Sequence, residues 1–346
     1  MVRTVSGPPG RGAGSSDPAS PAARPPAPRG PHGPGGRQRA ALFIRRHRLT
    51  PYALLLPSVA AIGLLLFWPT IQIALFSFRN YGLPQLTGAA PTQWVGTANF
   101  TAVLSDPEFW LSLRISLVFA VVVVPLTLLT GTLVGLLLNR LGRKMATFVS
   151  SAAMLAWATP AVSASVIFIW LTDPDGGIVD WTLSRMPSWL GGGAHWAGFS
   201  WTNAALPAYT LLTVLVIWQG FPFVAVTVLA GLKTVPAELH ESARVDGGGS
   251  WRIFWRITYP LLKPIFLVLL LLSIIWDFGV FTQAYLVTGE LGNRDEYNLG
   301  IYAYDRAFTM PPSYGIGSAL ALILTVILLI ITIGYVRAFV RQGAIQ

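Results

Sequence analysis

Six stretches of this chain are each long and apolar enough to cross a lipid bilayer, which takes about 20 apolar residues in a helix. The first follows a basic flank and runs to about Phe78, in "FIRRHRLTPYALLLPSVAAIGLLLFWPTIQIALFSF". The others lie at about 113–139, 146–171, 205–231, 262–287 and 315–338. Composition agrees: 11% of the residues are charged and 53% hydrophobic, against about 25% charged in soluble domains. The first run resembles a secretory signal, with Ser58-Val59-Ala60 as a small-x-small site. The apolar stretch continues well past that point, so it reads as a retained helix.

The distribution of charge orients the bundle. Of 24 Lys and Arg residues, nine precede position 50. The "RLGRK" turn (Arg140 to Lys144) falls on the same side as that basic start, together with Lys233, Arg244, Arg252, Arg256, Lys263, Arg337 and Arg341. The other side carries most of the acids, among them Asp106, Glu108, Asp173, Asp175, Asp180, Glu290, Asp295, Glu296 and Asp305. The positive-inside rule then places both termini in the cytoplasm. The expected fold is an all-α membrane protein of six transmembrane helices. The net charge of +10 follows the membrane sides, so it marks topology and not a nucleic-acid face. Residues 1 to about 40 are nearly free of large apolar side chains, so 1–44 read as a disordered cytoplasmic tail, with 45–346 as the transmembrane domain. There are no cysteines, hence no disulfide and no thiolate metal site. His32, His47, His195 and His240 are too scattered for a metal cluster.

Between the fourth and fifth apolar runs sits "ELHESARVDGGGSWRIFWRITYP", Glu238 to Pro260. Pro236 suits a first helical turn, Glu238 suits the positive end of the helix dipole and Arg244 the negative end. Gly247 suits a left-handed stop. The spacing predicts a short cytoplasmic helix over Val235 to Asp246, then a second helix capped by Ser250. Trp251, Phe254 and Trp255 would lie at the inner headgroup boundary.

At this point the chain resembles the permease subunits of ABC importers. Their cytoplasmic signature is Glu-Ala-Ala, three residues, Gly, nine residues, Ile, one residue, Leu-Pro. Here it is Glu241-Ser242-Ala243, Gly247, Ile257 and Tyr259-Pro260, with Ser242 and Tyr259 the two departures. "PLLKP" (Pro260 to Pro264), "WDFGVFTQAYLVTGE", "NLGIYAYDRAF" and "YGIGSALALIL" are similar to the carbohydrate-uptake branch. The resemblance covers roughly residues 50–340. It implies that the loop of about 233–260 is a coupling helix docking on a separate ATPase, with Glu241, Ser242, Ala243, Asp246, Gly247, Ile257 and Pro260 at or near the seam. It also implies a second permease subunit, two ATP-binding subunits and an extracellular solute-binding protein as partners. ATP and magnesium would be bound by the ATPase and no cofactor by this chain, which has no Walker A sequence. Membrane lipids are the remaining partner, and nucleic acid is not expected.

Polar residues inside a bilayer invite a functional reading. Asp277 is the clearest, among Trp276, Phe281, Gln283 and Tyr285 in the fifth run; Trp218 and Gln219 in the fourth are a second pair. Aromatic faces and hydrogen-bonding side chains suit sugar rings and hydroxyls, and the same groups suit helix–helix contacts. Another small polar solute such as glycerol phosphate fits the same branch, and a stand-alone secondary transporter is the rival class. "DPDGGIVDW" in the second external loop lacks the spacing of a calcium loop and reads as a turn-rich contact for a binding protein.

Overall fold

A computed structural model describes residues 49–288, 296–309 and 311–341. The expected tail at 1–44 lies outside the described residues, as do Glu290 and Asp295. The chain divides after Gly63 into two compact units. Of the first, the described part is the helix α1 (Leu49–Ile62) and Gly63.

A π-helical turn, Gly63–Phe67, begins on the last residue of the first unit, and the second unit goes on with α2 (Trp68–Ser77). A two-residue antiparallel ladder pairs Arg79 with Trp94 and Asn80 with Gln93. Then come α3 (Ala98–Leu104), α4 (Pro107–Arg140), α5 (Arg143–Ala158), α6 (Ala161–Leu171) and α7 (Ile178–Arg185). The rest is α8 (Ala205–Leu232), α9 (Ala237–Val245), α10 (Ser250–Ile253), α11 (Tyr259–Phe278), α12 (Thr282–Thr288), α13 (Leu299–Phe308) and α14 (Tyr314–Arg341). Only helices span, because in hydrocarbon each backbone polar group needs a partner within its own segment.

Among the described residues, five stretches pass as membrane spans by length and hydropathy: 54–77, 107–140, 205–232, 250–278 and 314–337. The expected third span, 146–171, is instead a bent pair, α5 and α6, meeting at 97°; counted as one span it makes six. The cause is Pro160, which pushes its predecessor out of the helical region: Thr159 is extended, with φ −66° and ψ 128°. The expected fifth span, 262–287, also ends early. α11 stops at Phe278, Gly279 breaks the helix, and α12 starts anew at Thr282. Gln283 and Tyr285 therefore stand on a different helix from Asp277.

The centre of the bundle is the crossing of α4 and α8. Gly131 and Gly135 sit one helical turn apart, and each meets α8 with no room for a side chain. A Cβ on Gly131 would lie 2.5 Å from the Cβ of Val224, and one on Gly135 would lie 2.9 Å from the carbonyl oxygen of Ala225. Small residues at this spacing let membrane helices approach closely where no water-driven force joins them. Above this crossing, Phe119 and Val123 of α4 pack with Leu211, Leu212 and Leu215 of α8, Ala284 and Val287 of α12 and Ile301 of α13. Outward-facing apolar residues such as Val121, Leu133, Leu206 and Ile330 stay exposed, as lipid-facing positions should.

At the expected outer end, Asp106 caps α4, accepting from the backbone N–H of Glu108 at 2.9 Å. It also accepts from the Tyr302 hydroxyl at 2.6 Å and from the Arg306 guanidinium. The guanidinium reaches Glu108 at 3.2 Å as well. Burial raises the Asp106 carboxyl, but the hydrogen bonds from Tyr302 and the Glu108 N–H and the charge of Arg306 outweigh it and hold it below the ordinary value.

Candidate functional site

Two sites emerge, an exposed elbow and a polar cavity. The elbow is α9 and the turn after it. α9 runs over Ala237–Val245, one residue or more shorter at each end than Val235 to Asp246, with Pro236 in the cap position and Asp246 closing the helix. Its end is a doubly hydrogen-bonded stop: Gly248 N–H donates to the Ala243 carbonyl at 2.8 Å and Gly247 N–H to that of Arg244 at 3.0 Å. That geometry needs a left-handed residue, and Gly247 supplies it with φ +76°. A Cβ on Gly248 would lie 2.6 Å from the Ala243 oxygen, so a second glycine is required. The cap of α10 is Gly249, with Ser250 the first helical residue and making no side-chain cap bond. The extended backbone there is satisfied by glycine, which displaces Ser250 from the expected role.

No residue of α9 is buried. Glu241, Ser242, Asp246 and Gly247 are exposed and Ala243 is half-buried. Val245 is 88% exposed. Ile257 and Pro260 lie beyond the turn, Ile257 half-buried in a π-helical turn (Phe254–Thr258) and Pro260 exposed at the start of α11. The expected seam residues thus divide between the elbow and its root. The two are tied by a contact that sequence reasoning missed: Nε2 of His240 lies 3.1 Å from the hydroxyl oxygen of buried Thr258. Trp251 is 75% exposed and its ring meets Trp255 at 5.6 Å, as an interfacial pair does.

The polar cavity, of about 450 Å³, opens where α8, the end of α11 and the start of α12 converge. It is lined by Trp157, Gln219, Trp276, Asp277, Phe281 and Gln283, with Val216, Gly220, Gly279, Val280 and Thr282 between them. Five of the seven expected path residues therefore meet in one place. Trp218 turns the other way, its ring 5.3 Å from Phe168 of α6. Tyr285 packs tilted against Phe281 and edge-on against Tyr304 instead of lining the cavity.

Helix breaks build this lining. Breaking α5 from α6 frees the Thr159 carbonyl, and Gln219 donates to it from Nε2 at 2.7 Å. Gln283 in turn donates to the Gln219 Oε1 at 3.0 Å. The break between α11 and α12 leaves Asp277 lining the same space. Its residue is 8% exposed, and its Oδ2 is buried with no hydrogen-bond partner. Trp157 and Trp276 flank Phe223, with ring centroids at 5.8 and 5.4 Å. Trp157 is the second residue missed from the sequence, because its helix was read as part of a continuous span. Among the described residues, no group of three or more His, Asp or Glu is placed to hold a metal.

Comparison with known proteins then decides the family. The model of the binding-protein-dependent transport system inner membrane component matches residues 127–344. The chain belongs to this family. A diacetylchitobiose uptake system permease protein of Streptomyces coelicolor is 39% identical over 308 residues, 89% of this chain and 91% of the relative. A sulfoquinovosyl glycerol transport system permease protein of Agrobacterium fabrum is 30% identical, covering 84% of this chain and 90% of its own. In fold, the permease is similar to a chain of a bacterial ABC transporter involved in the import of the acidic polysaccharide alginate. That match has a TM-score of 0.71 and 21% identity, over 88% of the permease and 99% of the solved chain. The permease is thus a multi-pass inner membrane component of a transport system served by a binding protein, and its elbow and cavity are parts of a transport subunit.

Proposed function

We propose that this permease is one subunit of an ATP-driven importer that carries a sugar or oligosaccharide inward. A second permease, two ATP-binding subunits and an extracellular solute-binding protein complete the importer. Both termini and the elbow face the cytoplasm, where α9 docks on an ATPase subunit; ATP and magnesium reside on that subunit. Glu241, Ser242, Asp246 and Gly247 form the docking face, and Ala243, Ile257 and Pro260 set its angle.

The observation that carries this reading is the exposed α9, stopped by two glycines and tied back to the following span by His240. A rigid lever of this kind transmits motion, whereas a loose loop absorbs it. The sugar reading rests on the cavity, where the indole rings of Trp157 and Trp276 and the ring of Phe281 offer faces for pyranose rings. Asp277, Gln219 and Gln283 supply acceptors and donors for hydroxyls. The name of the Streptomyces coelicolor relative is that of a diacetylchitobiose system, which supports the same class.

Copurification tests the assembly. Tagged wild type in gentle detergent is expected to bring down an ATPase and a second permease. Gly247→Arg should lose the ATPase while keeping the second permease. Wild-type protein that purifies alone and still moves solute in liposomes overturns the reading.

A further inference from the structure

The substrate's charge is legible in the cavity. Among the described residues that line it, Asp277 is the one acidic group, and none is Lys, Arg or His. Its Oδ2 is buried and unpartnered, while the amides of Gln219 and Gln283 are engaged with Thr159 and with each other. An acceptor held in this state lacks a donor, and the groups that supply one without adding charge are hydroxyls and amide N–H groups.

We propose that the Asp277 cavity is a charge filter, accepting uncharged glycosides that donate a hydroxyl or amide hydrogen to the Asp277 carboxyl and rejecting sugars that carry a carboxylate or sulfonate. This rests on the sugar-importer reading above and narrows it. Two acid groups in contact in a poorly solvated site cannot both ionise. An anionic sugar must therefore be protonated or lose its contact, and this permease contributes no cation to the described lining to offset the cost. Comparable permeases do serve anionic cargo: the structural neighbour belongs to a transporter of the acidic polysaccharide alginate, and a relative's name specifies a sulfoquinovosyl glycerol. Fold and family therefore leave the sign of the cargo open, and the lining decides it.

The test uses the purified importer complex with its partner permease and ATPase subunits but without the binding protein, so that the membrane site is read alone. Neutral disaccharides, diacetylchitobiose among them, are titrated calorimetrically beside the matched analogues oxidised to a uronic acid on one terminal ring. The wild type is expected to bind a neutral member at least about tenfold more tightly than its uronate. Asp277→Asn should bring the pair within about threefold, and Asp277→Glu, which keeps the acid, should retain the discrimination. Basal ATPase activity and the thermal midpoint of each complex confirm assembly. Equal binding of both members by the wild type, or a ratio unchanged in Asp277→Asn, overturns the charge filter and leaves the sugar reading standing. Absence of binding by every glycoside to an intact wild-type complex overturns both.

Discussion

His240, on the exposed helix α9, is hydrogen-bonded at 3.1 Å to Thr258, a buried residue at the root of the following span. The pair spans 18 positions around the glycine turn, and on the proposed docking of α9 it is the contact that would carry a push from α9 toward α11. Removing it costs about 1 kcal/mol, a factor of about five in the population of the docked geometry. His240→Ala is expected to lower uptake roughly fivefold while ATP hydrolysis falls less, so that more ATP is spent per solute. Thr258→Val should behave alike and Thr258→Ser should keep the wild-type ratio. An unchanged ratio of uptake to hydrolysis in both His240→Ala and Thr258→Val removes the tie from the coupling mechanism.

Arg306 joins the start of α4 to α13 through Asp106 and Glu108. The charged groups are partly exposed, so the pair itself is worth about 1 kcal/mol or less. Asp106 adds the cap of α4 and the Tyr302 hydroxyl, and its loss is worth about 2 kcal/mol. Arg306→Ala should therefore lower the thermal midpoint modestly, and Asp106→Ala more.

The same contacts set a pH dependence. The Asp106 carboxyl is lowered in the folded state, so its stabilisation is present above the ordinary value of 3.8 and is lost as pH falls through the lowered value. Burial and the Asp106 hydrogen bond push the Tyr302 phenol up to about 12. Its contribution is complete below its ordinary value of 10.0 and is lost as pH rises through about 12. Thermal midpoints of wild type and Asp106→Asn should differ at neutral pH and converge in acid. Parallel curves down to pH 3 would count against the linkage.

The crossing of α4 and α8 leaves no space for a methyl group at Gly131. Gly131→Val is expected to cost about 1–3 kcal/mol through overpacking and to shift the thermal midpoint of the detergent-solubilised protein downward. Gly142→Ala is the control, since nothing lies within 4 Å of a Cβ there. Fluorescence-detected size exclusion after a heat series reads both, and equal melting of the two variants contradicts the close crossing.

Much of this fold is plain in the sequence because bilayer crossing imposes one strong rule, a long apolar run. The elbow is plain for a similar reason: the glycine at 247 and the acid and base at the two ends of α9 each have a local physical role. The cavity is less legible because it is made by breaks within apolar runs. Averaged over a span's length the residues stay apolar across Pro160 and Gly279, so 146–171 and 262–287 read as continuous and nothing singles out Trp157. The signal that marks the first break is Thr159-Pro160, since a residue before proline leaves the helical region. Trp218 and Gln219 are neighbours in sequence, but their side chains point about 100° apart on a helix, so only one of them reaches the cavity.

Gln219 holds that break together, donating to the Thr159 carbonyl and accepting from Gln283. Gln219→Leu leaves both a carbonyl and an amide unpaired, whereas Gln283→Leu leaves Thr159 satisfied. The first substitution is therefore expected to cost about 2 kcal/mol and the second about 1 kcal/mol. The double variant should cost less than the sum, because Gln283 has no partner left to lose once Gln219 is gone. Initial uptake rates should rank in the same order, since a loosened bend displaces Trp157 from the lining. Thermal midpoints of the four proteins in one double-mutant cycle decide the matter, and strict additivity would mean that the two glutamines act apart.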